Sequence, residues 1–216
     1  MRRDVISSAL AVLILTVMFG VIYPLATTGI AQVVFPGKAD GSRVERGGEM
    51  VGSKLIGQDF KRPVLDQGKP RIDADGNPVL APDPRYFQSR PSVTGYSPSV
   101  TFFNNLGPNN KELSQLFRAN LKAYIALERA YNPGLQARDV PVDAVTTTAS
   151  GVDPHISEAN ARIQARRVAA VRKIPLARVQ QLVNDNTDDR DLGVLGEPGV
   201  NVLELNLAVD KEALAR

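Results

Sequence analysis

The chain has 216 residues, with 26 basic and 23 acidic side chains, a formal net charge of +3, one histidine and no cysteine. The lack of cysteine removes disulfides, thiol nucleophiles and cysteine-held metals, and a single histidine, His155, excludes any site needing two from one chain. The near-balance of charge, without a basic run interleaved with aromatics, argues against nucleic-acid binding.

After Asp4 no charged side chain occurs until Lys38, and residues 5–26 are almost wholly apolar. As a helix they would extend about 33 Å, enough to cross a bilayer's hydrocarbon core. Residues 1–36 therefore read as an N-terminal membrane anchor with its transmembrane part at about 5–26. A cleaved signal would have an apolar region of about 7–15 residues ending at a small-x-small site. Here the run is longer and Tyr23-Pro24-Leu25 stands at that place, so a retained anchor is favoured. Arg2 and Arg3 favour a cytoplasmic N-terminus with the remaining chain outside. Thr16 and Gly20, like Ser7 and Ala11, form small-x-x-x-small pairs that permit close helix packing.

Residues 37–48 read as a juxtamembrane linker and 49–216 as one soluble α+β domain. A short strand is expected within 50–60. The stretch 64–84, with Asp75-Gly76-Asn77-Pro78, reads as a surface hairpin or insertion. Residues 86–110 are mostly loop. A helix then starts near Asn109 or Asn110, with Glu112 completing a capping-box pattern, and Asn132-Pro133-Gly134 stops it. The β-branched run 140–147 predicts a strand. Ser157 caps a second helix carrying a Glu158–Arg162 pair, and Pro175 opens a third. Residues 186–190 read as a polar turn. The alternation in 200–207 predicts a half-buried strand. Helices and strands mix without βαβ regularity, which favours α+β over a doubly wound sheet.

No phosphate loop, G-x-G-x-x-G, H-E-x-x-H, EF-hand or G-x-S-x-G motif occurs. The densest polar stretch is 146–157, where Ser150, Asp153 and His155 lie close together. Triad members normally converge from separate elements, so a capping loop or partner contact is the better reading, and a tethered hydrolase using His155 is the alternative. Arg162, Arg166, Arg167, Arg172 and Lys173 give the second helix a basic side, either solvated or able to meet a phosphate, with Gln164 among them.

Several segments together resemble one family. Gly20-Val21-Ile22-Tyr23-Pro24-Leu25-Ala26-Thr27-Thr28, Gly52-Ser53-Lys54-Leu55-Ile56-Gly57-Gln58-Asp59-Phe60, Tyr86-Phe87-Gln88-Ser89-Arg90-Pro91-Ser92 and Asn105-Leu106-Gly107-Pro108-Asn109-Asn110 stand in order. They are followed by Pro141-Val142-Asp143, Ser150-Gly151-Val152-Asp153-Pro154-His155-Ile156-Ser157, Arg167-Val168-Ala169 with Arg172, and Leu192-Gly193-Val194-Leu195-Gly196-Glu197-Pro198 before 201–207. The order resembles the C subunit of the Kdp high-affinity potassium-transporting ATPase over almost the whole chain. Thr101-Phe102-Phe103-Asn104 departs from that family's Ser/Gly run, residues 64–84 look inserted, and Thr148, Ala149 and Gly199 also differ from the pattern.

The resemblance implies a non-catalytic accessory subunit of a bacterial inner-membrane complex. Its partners would be a channel-like potassium-binding subunit, a P-type ATPase subunit, a small single-helix subunit and membrane lipid. It implies a role in assembly, or as a catalytic chaperone raising the ATPase subunit's affinity for ATP, with no covalent cofactor, no metal and ATP reached only through that subunit. On this reading Gln164 and Arg167 are the expected nucleotide contacts. Thr16, Gly20, Tyr23, Pro24, Gly57, Gln58, Arg90, Pro91, Asn105, Asp153, Pro154 and His155 are the expected partner contacts. With the N-terminus inside, the soluble domain lies outside, where ATP is absent, so action through the neighbouring subunits is favoured over direct ATP handling.

Overall fold

A computed structural model describes residues 1–97, 99, 100, 102, 105–190 and 192–214. Of the segment 101–104, only Phe102 is among them. The chain is mixed helix and sheet and divides into two compact units, Met1–Ser53 and Lys54–Arg216.

In the first unit, helix α1 (Arg2–Val17) continues through a π turn (Met18–Ile22) into α2 (Tyr23–Val34). The 33 residues Arg2–Val34 form a helix long and apolar enough to cross a membrane, with none of its apolar window buried. The π turn has a cause in the sequence. Pro24 has no N–H and its ring crowds the carbonyl a turn earlier, so a regular α-helix would be strained there. Instead the Tyr23 N–H reaches back to the Met18 carbonyl, five residues away, widening the turn just before the proline. The Thr27 hydroxyl donates to the carbonyls of Tyr23 and Pro24 at 2.9 and 3.0 Å. A short α3 (Pro36–Ala39) follows, and then strands β1 (Arg43–Arg46) and β2 (Glu49–Ser53), which pair antiparallel. Gly47 and Gly48, at φ 63° and 86°, supply the left-handed pair that a two-residue hairpin turn requires. The stretch expected as linker thus holds α3 and β1.

In the second unit, β3 (Lys61–Pro63) pairs antiparallel with β6 (Leu80–Pro82), and β4 (Leu65–Asp66) with β5 (Lys69–Pro70). Two turns shape this arm, Gln67-Gly68 and the Asp73–Asn77 loop, in which the Asp73 carboxylate accepts from the N–H groups of Asp75 and Asn77. Helix α4 (Lys111–Glu128) starts on Asn110, whose side chain accepts from Glu112 N–H. The cap is therefore Asn110 rather than the Asn109–Glu112 box. Residues 140–147 are not a strand. They contain a 3₁₀ turn, Val142–Ala144, just after another, Ala137–Asp139. Pro141 sets the turn, and the Asp143 carboxylate is taken by Ser157 N–H, Ser157 Oγ–H and Asn160 Nδ2.

Strand β7 (His155–Ile156) leads into α5 (Glu158–Arg172), capped by Ser157 accepting from Asn160 N–H. The Glu158–Arg162 pair forms at 2.8 Å. Lys173 ends α5 in the left-handed region, and α6 (Leu176–Asp185) begins one residue after Pro175. Within the expected polar turn, β8 (Thr187–Asp188) pairs with β9 (Gly199–Asn201), which also pairs with β7. From Val202 the chain is helical, not extended: α7 runs Val202–Leu214. The alternating leucines misled because Asn206, a polar residue, is part of the buried face with Val202, Leu205 and Val209, which is helical spacing. The core gathers Phe87, Ile156, Val168, Val179, Val200 and Leu205. Ala161 and Ala165 are wholly buried, so α5 meets its neighbours with small side chains at close range.

Candidate functional site

Two polar systems organise the loop segments of the second unit. The first is buried. Arg167 and Glu128 are both 0% exposed and pair at 2.8 Å between α5 and α4. Arg167 Nη1 also donates to the carbonyls of Pro84 and Tyr86, and Nη2 to Gln164 Oε1. Gln164, equally buried, accepts from Gln88 N–H at 2.7 Å and returns a bond to the Gln88 carbonyl at 3.0 Å, mimicking a strand partner for the loop. Its amide also reaches Asn160, which in turn accepts from the Tyr124 hydroxyl. Asn206 of α7 does for Phe87 what Gln164 does for Gln88, bonding its N–H at 2.8 Å and its carbonyl at 3.0 Å. Burial pushes the Glu128 carboxyl up, against the pull of Arg167, and pushes the Tyr124 phenol up as well. Glu128 Oε2 is buried without a partner among the described residues.

The second system is a half-buried surface assembled from three separate loops. Gly57 N–H donates to the Val152 carbonyl at 2.8 Å. A β-carbon on Gly57 would stand 2.4 Å from the Tyr96 ring and 2.6 Å from the Asp153 carbonyl, so only glycine fits. Gln58 offers its carbonyl to Ser89 Oγ–H at 2.8 Å. Arg90 Nη1 pairs with Asp153 Oδ2 and Nη2 with Thr146 Oγ1, each at 3.1 Å, while its carbonyl accepts from the Tyr96 hydroxyl at 2.6 Å. Burial raises the Tyr96 phenol. The Pro91 carbonyl accepts from Thr148 N–H, and Ser92 Oγ donates to the Gly151 carbonyl. Arg90 Nε is buried without a partner among the described residues. An open groove of about 300 Å³ runs past Lys61, Ser89, Arg90, Ser92, Asn120 and Tyr124.

These loops unite Gly57, Gln58, Arg90, Pro91, Asp153, Pro154 and His155. The Pro154 carbonyl accepts from Val202 N–H, and His155 leans across β9 to Asp188 at 3.0 Å. That ring lies over Gly199, where a β-carbon would come within 3.2 Å of His155 Cβ. Asn105, at φ 46°, sits apart beside Leu106 and Thr148 in a different depression. Thr16, Gly20, Tyr23 and Pro24 belong to the first unit. Ser150 Oγ bonds Thr148 and Val152, and Ser157 bonds Asp143. No serine hydroxyl among the described residues hydrogen-bonds His155. The four basic residues of α5 and Lys173 at its C-cap do not share one solvated side: Arg167 is buried and Arg172 is tied to Asp210 and lies over the Tyr86 ring. Glu128 and Asn206 were not anticipated from sequence. The available signal for Glu128 is that it continues the inward series Phe117, Leu121, Tyr124 of α4.

Residues 5–211 match the family described as K+-transporting ATPase, c chain (KdpC). The chain is 44% identical to the potassium-transporting ATPase KdpC subunit of Bradyrhizobium diazoefficiens, over 99% of each. It is 46% identical to that of Polaromonas naphthalenivorans, over 91% of this chain and 89% of the relative. With the Mycobacterium bovis subunit the identity is 40% over 98% and 100%. The long apolar N-terminal helix, the mixed α+β unit that follows it and these matches along nearly the full length place the chain in the KdpC family, subunits of the K+-transporting ATPase.

Proposed function

We propose that the chain is a non-catalytic accessory subunit of an ATP-driven potassium uptake complex. It would be held in the bilayer by residues 2–34 with its N-terminus cytoplasmic and its larger unit outside, and it would act by packing on the large membrane subunits and biasing their conformations. The reading is carried by the three-loop surface around Arg90, Asp153 and Gly57: polar groups there are spent on holding loops to one another, which builds a fixed shape rather than a reaction centre. Gln164 and Arg167, the expected nucleotide contacts, hold the 84–88 loop from inside, and we infer that they serve as posts for that surface. Raised ATP affinity of the ATPase subunit, the chaperone role, would then reach it through contact between subunits.

The test is complementation of potassium-limited growth in a strain lacking the subunit, combined with affinity purification from detergent-solubilised membranes. Recovery with large polytopic partners and tolerance of His155→Ala are expected. Recovery alone, or a His155-dependent hydrolysis by the isolated chain, would overturn the reading.

A further inference from the structure

Helix α4 carries a charge pattern that the role above leaves unused. Lys111, Arg118 and Lys122 on the helix and Arg129 at its C-cap are spaced seven, four and seven residues apart. At 3.6 residues per turn they fall within an arc of about 40°, along roughly 27 Å. That arc lies opposite the face on which Leu116, Phe117, Asn120 and Tyr124 are half-buried. All four cations are exposed, and no ion pair joins any of them to another described residue. The other acidic residues of α4 lie off the arc: Glu112 is about a quarter turn away, and Glu128 is inside, paired with Arg167. Elsewhere in the second unit Arg162, Arg178 and Lys54 each face a carboxylate, Glu158, Glu212 and Glu204, while the other exposed cations without an ion pair to a described residue, such as Arg62, Lys69, Arg71, Arg166 and Lys173, do not fall in one line along a helix. Gln115, Ala119 and Ala126 flank the stripe on one side, and Ser114 and the half-buried Ile125 on the other; all are uncharged and shorter than the four cations, which can reach past them.

We propose that this stripe lies on anionic lipid headgroups. Four long, exposed side chains in line along one helix suit a sheet of phosphates and not a single pocketed anion. The same chain bears the 33-residue apolar helix, so the stripe is tethered to whatever bilayer holds that helix. Tethering sets an effective concentration on the order of millimolar, and each cation near an anionic surface contributes about fivefold. A weak, salt-sensitive contact is therefore sufficient to hold α4 against the headgroups. The inference rests on the membrane-anchor reading of residues 2–34.

The chain has no cysteine, so Ala126→Cys carries a single fluorophore. The labelled full-length chain is placed in nanodiscs of phosphatidylcholine, with or without phosphatidylglycerol, each containing a headgroup-quencher lipid. Quenching is expected only with phosphatidylglycerol. Arg118→Gln, Lys122→Gln and Arg129→Gln together should shift the bound-to-free ratio by on the order of 100-fold, and added salt should weaken it. A fold control, R118K with R129K, should keep the quenching. Equal quenching in neutral discs, or indifference to the triple change, overturns the proposal. So does release by inorganic phosphate at fixed ionic strength, which would name a free phosphate, or shielding that needs only the other subunits in neutral lipid, which would name a protein surface. Recovery in discs without quenching overturns this inference alone, whereas absence from both kinds of disc overturns the anchor reading with it.

Discussion

Replacing Arg167 by Met removes the cation paired with Glu128 and strips three acceptors, the carbonyls of Pro84 and Tyr86 and Gln164 Oε1, of a donor. Breaking a wholly buried ion pair from one side costs about 3–5 kcal/mol, because the remaining charge stays desolvated. For a unit of this size that lowers the midpoint of thermal unfolding by about 10–15 °C. The Glu128 carboxyl is already raised by burial. Without Arg167 it rises further, so protonation relieves the variant, and its deficit should narrow as pH falls from neutral towards the carboxylate range. Glu128→Leu with Arg167→Met removes both charges, and apolar replacement of a buried pair is often near neutral, so the double variant should recover at least about 2 kcal/mol of the summed losses. Circular dichroism of the full chain in detergent, followed through thermal and denaturant unfolding, measures each corner of the cycle. A loss below about 1 kcal/mol for the single variant, or simple additivity in the double, would refute the reasoning.

Four further outcomes are expected. Asn206→Ala orphans both backbone groups of Phe87 and should cost about 2–4 kcal/mol by the same unfolding assay. Gly57→Ala drives a methyl into the Tyr96 ring and the Asp153 backbone, and should lower stability by about 1–3 kcal/mol and reduce co-purification of the complex. For Asp83, burial would raise the carboxyl, but hydrogen bonds from the Arg85 side chain and backbone outweigh it and hold the group below its usual value. Its stabilisation is therefore present above the unfolded carboxylate range and is lost as pH falls through the lowered native value. Asp83→Asn should flatten that acid limb in a pH series of unfolding midpoints. His155→Ala breaks a partly exposed contact with Asp188, should cost under about 1 kcal/mol, and should leave potassium-limited growth intact in the complementation assay.

Caps and periodic apolar faces made α4 and α5 legible from sequence, since Asn110 and Ser157 bond their own first turns, an interaction that requires no knowledge of the rest of the chain. The long apolar helix was legible for the same reason, length and composition being local. What failed was local pattern overruled by distant contacts. The leucine alternation after Val200 hid a helix whose inward face includes Asn206, committed to a loop 119 residues away. The β-branched run near Val145 hid turns fixed by Asp143 reaching Ser157 and Asn160. Within the candidate site, the motif strings told which segments matter but not how they meet. Gly57 reads only as one residue of its motif until Tyr96 stands against it. Arg167 reads as one more surface cation until Glu128, 39 residues earlier, closes on it.

The widened turn at Met18–Ile22 has a consequence for how the anchor can be gripped. One surplus residue in a single turn rotates everything beyond it by about 100° relative to an unbroken spiral. Thr16 and Thr27 therefore do not share the azimuth that counting by sevens and fours would assign them. A straight neighbouring rod would meet one side of the sequence below the slip and a different side above it. Cross-linking pairs chosen along this span should follow two phase-shifted stripes, the change falling at Phe19 to Tyr23.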